Sequence, residues 1–278
     1  MRTWRVSAIV VTCNNSGLLR MCLASLETQS VPPAEVVIAD DGSDPAHVAV
    51  IHDLMARSPL PTVYARQERE GYRAAANRNN GARHSTGDYL VFLDGDVVLF
   101  PDVLERHLAV ARARRWVSGF VVRLTHQESQ LVSEDVIRAR RLADLWPAPD
   151  DPRCVKLRKG ARHFRLNALR AWLWPSERRR RMLNLLGGQA SLPREAFERV
   201  NGFDEDFQGW GCDDLDLGLR LQLAGVRGHT VEDTSRALHL YHPPAPAVSP
   251  NRAYYGRPRH GEYRCRSGFH KEGGGVAP

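Results

Sequence analysis

Short apolar runs that stop abruptly at acidic residues set the tightest limit on what this chain can fold into. Residues 6–12 (VSAIVVT), 35–39 (EVVIA), 62–66 (TVYAR) and 88–93 (DYLVFL) read as strands, and helix-patterned segments separate them. Strands alternating with helices point to an α/β protein with a mostly parallel central sheet flanked by helices. In such sheets ligands bind beyond the carboxyl ends of the strands. Those ends carry Asp40-Asp41-Gly42-Ser43 and Asp94-Gly95-Asp96.

The helices follow from periodicity. Leu19, Cys22, Leu23 and Leu26 recur at i, i+3, i+4 and i+7, with Asn15 or Ser16 placed to cap the segment and Pro32-Pro33 to end it. Further helices are expected near 46–56, over 71–85, from 101 to 114 and over 194–200, with a strand over 116–124. Asp213, Asp214 and Asp216 open another helix, over 215–224, where acids suit the positive end of the helix dipole.

With 278 residues, 42% hydrophobic and 26% charged, the chain has the proportions of a folded protein and not of a disordered, fibrous or disulfide-rich one. Its longest apolar runs fall well short of the ~20 residues of a membrane-spanning helix. Arg2 and Arg5 precede the first run in the manner of a signal peptide, but no small-residue cleavage site follows, so the expected location is cytoplasmic. Five cysteines without a C-x-x-C pair are read as reduced structural thiols. The net charge is +7, and residues 153–181 concentrate it, with eleven Lys/Arg against one acid, Glu177. Such a stretch is a solvated helix face or a contact for an anionic partner.

Three constellations can carry chemistry. Asp94-Gly95-Asp96 offers two carboxylates to a hard divalent cation, although an acidic turn explains the tripeptide equally well. His239 and His242 add candidate nitrogen ligands, and imidazole beside carboxylates favours Mn²⁺ or a similar borderline cation. Asp213-Asp214 can divide the work of a general base, one acid holding a hydroxyl and the other taking its proton. Trp210, between Gly209 and Gly211, has a ring suited to the apolar face of a sugar, or to an ordinary core.

Five landmarks in order, residues 6–14, 40–43, Arg78-Asn79-Asn80-Gly81, 93–96 and 202–218 with the preceding Gly187-Gly188, resemble the family 2 glycosyltransferases with a GT-A fold. The later part resembles the galactosyltransferase-type C-terminal region. The resemblance implies a GT-A type nucleotide-sugar-binding, Rossmann-like sandwich. It implies inverting, metal-dependent transfer from a nucleotide sugar, usually a UDP-sugar, to the hydroxyl of a small-molecule, glycan or lipid-linked acceptor. Mn²⁺ is the preferred cofactor and Mg²⁺ the alternative; nucleic acid is not an expected partner.

Carried over by residue, Thr12, Asn14 and Gly188 line the nucleotide pocket, and Asp41, with Asp40 beside it, reads the base or ribose. Arg78 lies near the base or pyrophosphate, Asp94 faces the ribose, and Asp96 binds the metal with His239, or alternatively His242. Asp214 is the catalytic base, Asp213 holds the donor sugar or acceptor, and Trp210 contacts the donor. Cys13, Val11, Gln189, Cys212 and Asp213 depart from the family's usual residues, the last two at the sugar and acceptor site.

The implied division is a nucleotide-sugar-binding half over 1–125 and a variable basic insertion near the acceptor site over 126–186. An acceptor-binding, catalytic half of the same domain follows over 187–262, then a disordered tail over 263–278. Residues 153–181 are also the expected place for peripheral membrane contact, and the arginine-rich composition fits a bacterial chain. Two other readings compete: a nucleotidyltransferase on a related fold, and a non-catalytic protein binding a polyanion or membrane surface.

Overall fold

A computed structural model of the chain describes residues 3–231, 234–243 and 249–271. The first half runs β1 (Val6–Thr12), α1 (Ser16–Glu27), β2 (Glu35–Asp40), α2 (Pro45–Arg57), β3 (Thr62–Arg66), α3 (Ala74–Arg83), β4 (Tyr89–Asp94), β5 (Val97–Leu99) and α4 (Val103–Val110). Next come β6 (Arg115–Ser118), β7 (Val122–Arg123), α5 (His126–Ser129), α6 (Glu134–Arg138), α7 (Pro152–Leu173) and α8 (Glu177–Arg180). The chain continues through β8 (Gln189–Pro193), α9 (Arg194–Arg199), α10 (Asp213–Leu223), β9 (Arg227–Thr230), β10 (Ala237–His239) and α11 (Arg252–Gly256).

Seven strands form one sheet in the order β3-β2-β1-β4-β8-β6-β9. β1, β2, β3 and β4 are mutually parallel, β8 runs antiparallel between β4 and β6, and β9 is parallel to β6. The innermost strands are apolar throughout because helices cover both faces: Ile9, Val37 and Phe92 face one buried cluster, and Val10, Ile38 and Leu93 the other. β8 therefore joins the second half of the chain to the first within one sheet.

A second, three-stranded sheet, β5-β10-β7, sets the geometry of the site. β10 lies antiparallel to β5 with His239 opposite Val97, and Leu240 N–H donates to the Asp96 carbonyl at 2.9 Å. That register draws His239 next to Asp96 from the far end of the sequence.

Several expectations are corrected. The strand expected over 116–124 is two strands in different sheets. They part at Gly119, where a Cβ would fall 2.0 Å from the Gln189 side-chain oxygen, so only glycine lets the chain cross there. Asn15 precedes α1 without a side-chain capping bond, and the helix ends at Glu27, before the prolines. The tail is ordered through residue 271: Cys265 is buried, and Phe269 N–H and His270 N–H both donate to Asn201. The remainder of the expected tail, 272–278, lies outside the described residues.

Asp216 is no helix cap. Its carboxylate pairs with Arg220 at 2.6 Å, both side chains fully buried, and also with Arg259, while Tyr254 donates to the neighbouring Asp204. Removing Arg220 takes from Asp216 its fully buried partner and leaves Arg259 alone to offset the charge, so Arg220→Met is expected to cost ~3 kcal/mol, the low end for a broken buried pair. Urea unfolding measures it, and a loss below ~1 kcal/mol would contradict the assignment.

The basic stretch is mostly α7. Phe164 packs edge-on to Trp116 at 5.6 Å, and Arg153 is held by Glu128 and Asp151. Among the described residues no helix is long and apolar enough to cross a membrane.

Candidate active site

The carboxyl end of β4, the segment between β6 and β7, the turn before β8 and the start of α10 enclose a cleft of about 760 Å³. Arg78, Asp94, Gly187, Gly188, Asp213, Asp214, Trp210 and His239 all line it. The sequence thus named much of the wall.

Arg78, projecting from α3, is the hub. Its guanidinium donates to Asp94 at 2.8 Å and to Asp213 at 2.7 Å, and lies 5.4 Å from the centre of the Phe203 ring. Burial works against its charge, but the Asp94 and Asp213 carboxylates more than offset that and raise its pKa. The fork geometry of arginine lets one side chain serve two carboxylates. Arg78 thereby ties β4 to α10.

Asp214 is held by two backbone donors, Gly187 N–H at 3.0 Å and Leu215 N–H at 2.8 Å. Burial and the adjacent Asp213 carboxylate push its pKa up to about 6. It is thus fixed in place and more basic than an ordinary aspartate, which suits a proton acceptor near neutral pH. Gly187 and Gly188 are close-approach positions: a Cβ on the first would lie 3.0 Å from Arg78, and on the second 3.1 Å from Asp94.

Asp96, His239 and His242 present ligand atoms within 4.8 Å of one another. The two Nε2 atoms lie 3.6 and 3.2 Å from the Asp96 oxygens, so both histidines, not one or the other, meet the carboxylate. Each Nδ1 donates to a backbone carbonyl, of Leu240 at 2.9 Å and Pro243 at 2.8 Å, which turns an unprotonated Nε2 toward Asp96 when the rings are neutral. Asp96 Oδ1 is buried and accepts no hydrogen bond among the described residues. A carboxylate whose two oxygens each face an imidazole nitrogen fits a divalent cation of borderline softness.

The expected nucleotide residues divide. Thr12 Oγ1 is buried with no partner among the described residues. Asn14, by contrast, exchanges hydrogen bonds with Asp44 and so clips two loops together. Asp40 is fully buried and accepts from Ser43 and from Tyr64 at 2.6 Å, a turn-building role away from the cleft. Asp41 accepts from Gln67 at 2.6 Å and from Arg73 N–H at 3.0 Å.

Tyr72, half exposed at the cleft wall, went unread in the sequence, where nothing marks an isolated tyrosine. Its carbonyl accepts from Gly209 N–H at 3.0 Å, which ties it to the Trp210 loop. Trp210 is 39% exposed, so it is a surface of the cleft and not a core residue.

Cys212 has a φ of +71°, in the left-handed region that glycine adopts without cost. The usual glycine there would relieve strain at the price of a more flexible unfolded chain. Cys212→Gly is expected to gain ~0.5–1 kcal/mol, read as a rise in Tm; an unchanged or lower Tm would contradict it.

Residues 7–163 match the family model of glycosyl transferase family 2. The chain belongs to that family. In this family 2 chain, residues 169–243 also match a model described as the N-terminal domain of galactosyltransferase. Among curated relatives, a validoxylamine A glucosyltransferase of Streptomyces hygroscopicus subsp. limoneus is 34% identical over 80% of this chain and 48% of its own length. A chondroitin synthase of Pasteurella multocida is 25% identical over 79% of this chain and 23% of its own. The chain thus spans about half the length of the first relative and less of the second.

Two solved structures share the architecture. The mannosyltransferase PcManGT from Pyrobaculum calidifontis, in complex with GDP-Man and Mn²⁺, superposes with a TM-score of 0.57 at 21% identity, over 86% of this chain and 57% of that one. GalNAc-T7 with UDP, GalNAc and Mn²⁺ gives a TM-score of 0.54 at 17% identity, over 88% and 46%. At such identities the likeness shows the fold, which is GT-A.

Proposed function

We propose that this chain transfers a sugar, with inversion, from a UDP-sugar to an acceptor hydroxyl, using a divalent cation and Asp214 as general base. One observation carries the reading. His239 of the cation triad and the Asp213-Asp214 pair open on the same cleft, where Arg78 joins Asp94 to Asp213.

The residues divide the work by position. Asp214, fixed by Gly187 and Leu215 N–H, takes the proton of an acceptor hydroxyl as that oxygen attacks the anomeric carbon opposite the departing diphosphate. A single displacement of this kind inverts the centre and needs no covalent intermediate. Arg78 occupies one oxygen of Asp213, leaving the other to accept from a sugar hydroxyl. Tyr72 and Trp210 offer ring faces in the cleft wall. A divalent cation at Asp96, His239 and His242, Mn²⁺ in preference to Mg²⁺, would offset the charge that builds on the diphosphate.

The relatives' printed activities and the Mn²⁺ and nucleotide sugars of the structural neighbours support this reading. Incubation of UDP-sugars with Mn²⁺ and a panel of acceptor alcohols, followed by phosphorus NMR, tests it. UDP as the released product is the expected result; sugar 1-phosphate, left behind when UMP is transferred to the acceptor, would identify nucleotidyl transfer instead.

A further inference from the structure

The far end of α7 carries an unusual surface. Of the exposed large hydrophobic side chains, Leu166, Leu169, Trp172, Leu173, Trp174 and Met182 crowd into one short stretch, Trp172 and Trp174 at 57% and 59% exposure. Beside them, where the chain turns from α7 into α8, lies a second cavity, of about 330 Å³, lined by Asn167, Arg170, Ser176, Arg178, Arg179 and Met182. No acid lines it. Arg179 donates to the Trp174 carbonyl at 2.9 Å, whereas the guanidinium groups of Arg170 and Arg178 have no hydrogen-bond or ion-pair partner among the described residues.

Guanidinium groups gathered without counter-charges recognise a phosphate-type anion. Tryptophans and leucines next to them suit the boundary between lipid headgroups and acyl chains. Met182 belongs to both the cavity and the apolar cluster, so one ligand that is anionic at one end and oily at the other meets both at once. A second copy of this face is a poor match, because a symmetric contact would set arginines against arginines.

We propose that this corner docks the protein on an anionic phospholipid surface, a headgroup phosphate entering the arginine-lined cavity while Trp172, Trp174, Leu169 and Met182 enter the interfacial layer. The site stands apart from the transfer chemistry and holds whether or not that reading does. Lys156, near the other end of α7, lines the catalytic cleft. At the rise of an α-helix the docked end lies about 25 Å farther along the same rod.

Co-sedimentation of the full chain with vesicles tests the proposal. Vesicles of phosphatidylcholine containing phosphatidylglycerol are expected to bind at least ~10-fold more tightly than phosphatidylcholine alone, and added salt to weaken them. Arg170→Gln with Arg178→Gln, and separately Trp172→Ser with Trp174→Ser, each lose that binding, while circular dichroism and thermal unfolding stay as in the wild type. Absence of binding, equal binding to neutral vesicles, or full retention by either double variant overturns the proposal. So does displacement from vesicles by inorganic phosphate at constant ionic strength, which would make free phosphate the ligand. Sedimentation equilibrium showing a dimer that the tryptophan variant dissolves overturns it too, since the face would then lie between copies.

Discussion

Asp214→Asn is expected to lower the transfer rate by ~10²–10⁴-fold, the range a positioned general base contributes, while UDP still binds. The amide keeps the shape, although its single oxygen can accept from only one of the Gly187 and Leu215 N–H groups, which reach different oxygens of the carboxylate. What it lacks is basicity. The wild-type rate carries a matching signature: Asp214 must be ionised to accept a proton and its pKa is about 6, so activity rises with pH through about 6 and falls below it. Steady-state kinetics across pH, with nucleotide binding measured on the same variant, separates these effects. Transfer at near wild-type rate by the asparagine variant removes Asp214 from the role.

Arg78→Met is expected to have the other large effect, on stability and on the site together. It leaves Asp94 and Asp213 without their shared cation in a buried setting, a change that costs ~3–5 kcal/mol at comparable pairs. The Arg78 charge also helps to hold the Asp214 pKa down against burial and the Asp213 carboxylate. Its removal therefore moves the acid limb of the pH–rate profile upward. Arg78→Lys restores charge but not the fork, and is expected to recover only part of the stability because one ammonium cannot satisfy both carboxylates in the same geometry. Urea unfolding and the pH profile read the two consequences independently. A methionine variant as stable as the wild type, with an unmoved profile, would show that the bridge matters little.

The pattern of what was legible in the sequence follows from physical range. β1, β2 and β4 announced themselves because strands buried under helices are continuous apolar runs, and α1 and α10 because their apolar faces repeat at helical spacing. β8 (Gln189–Pro193) was not named as a strand: its five residues contain no β-branched side chain and it runs against the direction of its neighbours. The break at Gly119 was hidden because the sequence stays apolar on both sides, and only the approach of Gln189 reveals why the chain must leave the sheet there.

The site shows the same limit. Asp96 and His239 could be suspected from their residue types, yet the pairing of β10 with β5 that unites them is a tertiary fact. Arg78 was named as a site residue but its partners were not, since they lie 16 and 135 positions away. Asn14 and Asp40, expected at a nucleotide, make hydrogen bonds that build loops, a use the sequence hides because short polar side chains at strand ends serve turns as readily as ligands.

The central claim is that Asp96, His239 and His242 form a cation site on which donor binding depends. Calorimetric titration of UDP into the protein, with and without Mn²⁺, repeated on Asp96→Ala, tests it most directly. The account predicts binding that Mn²⁺ strengthens at least ~10-fold and a variant in which that gain is gone, as expected when a metal ligand is lost. UDP binding indifferent to Mn²⁺, or a variant that keeps the full metal effect, would contradict it.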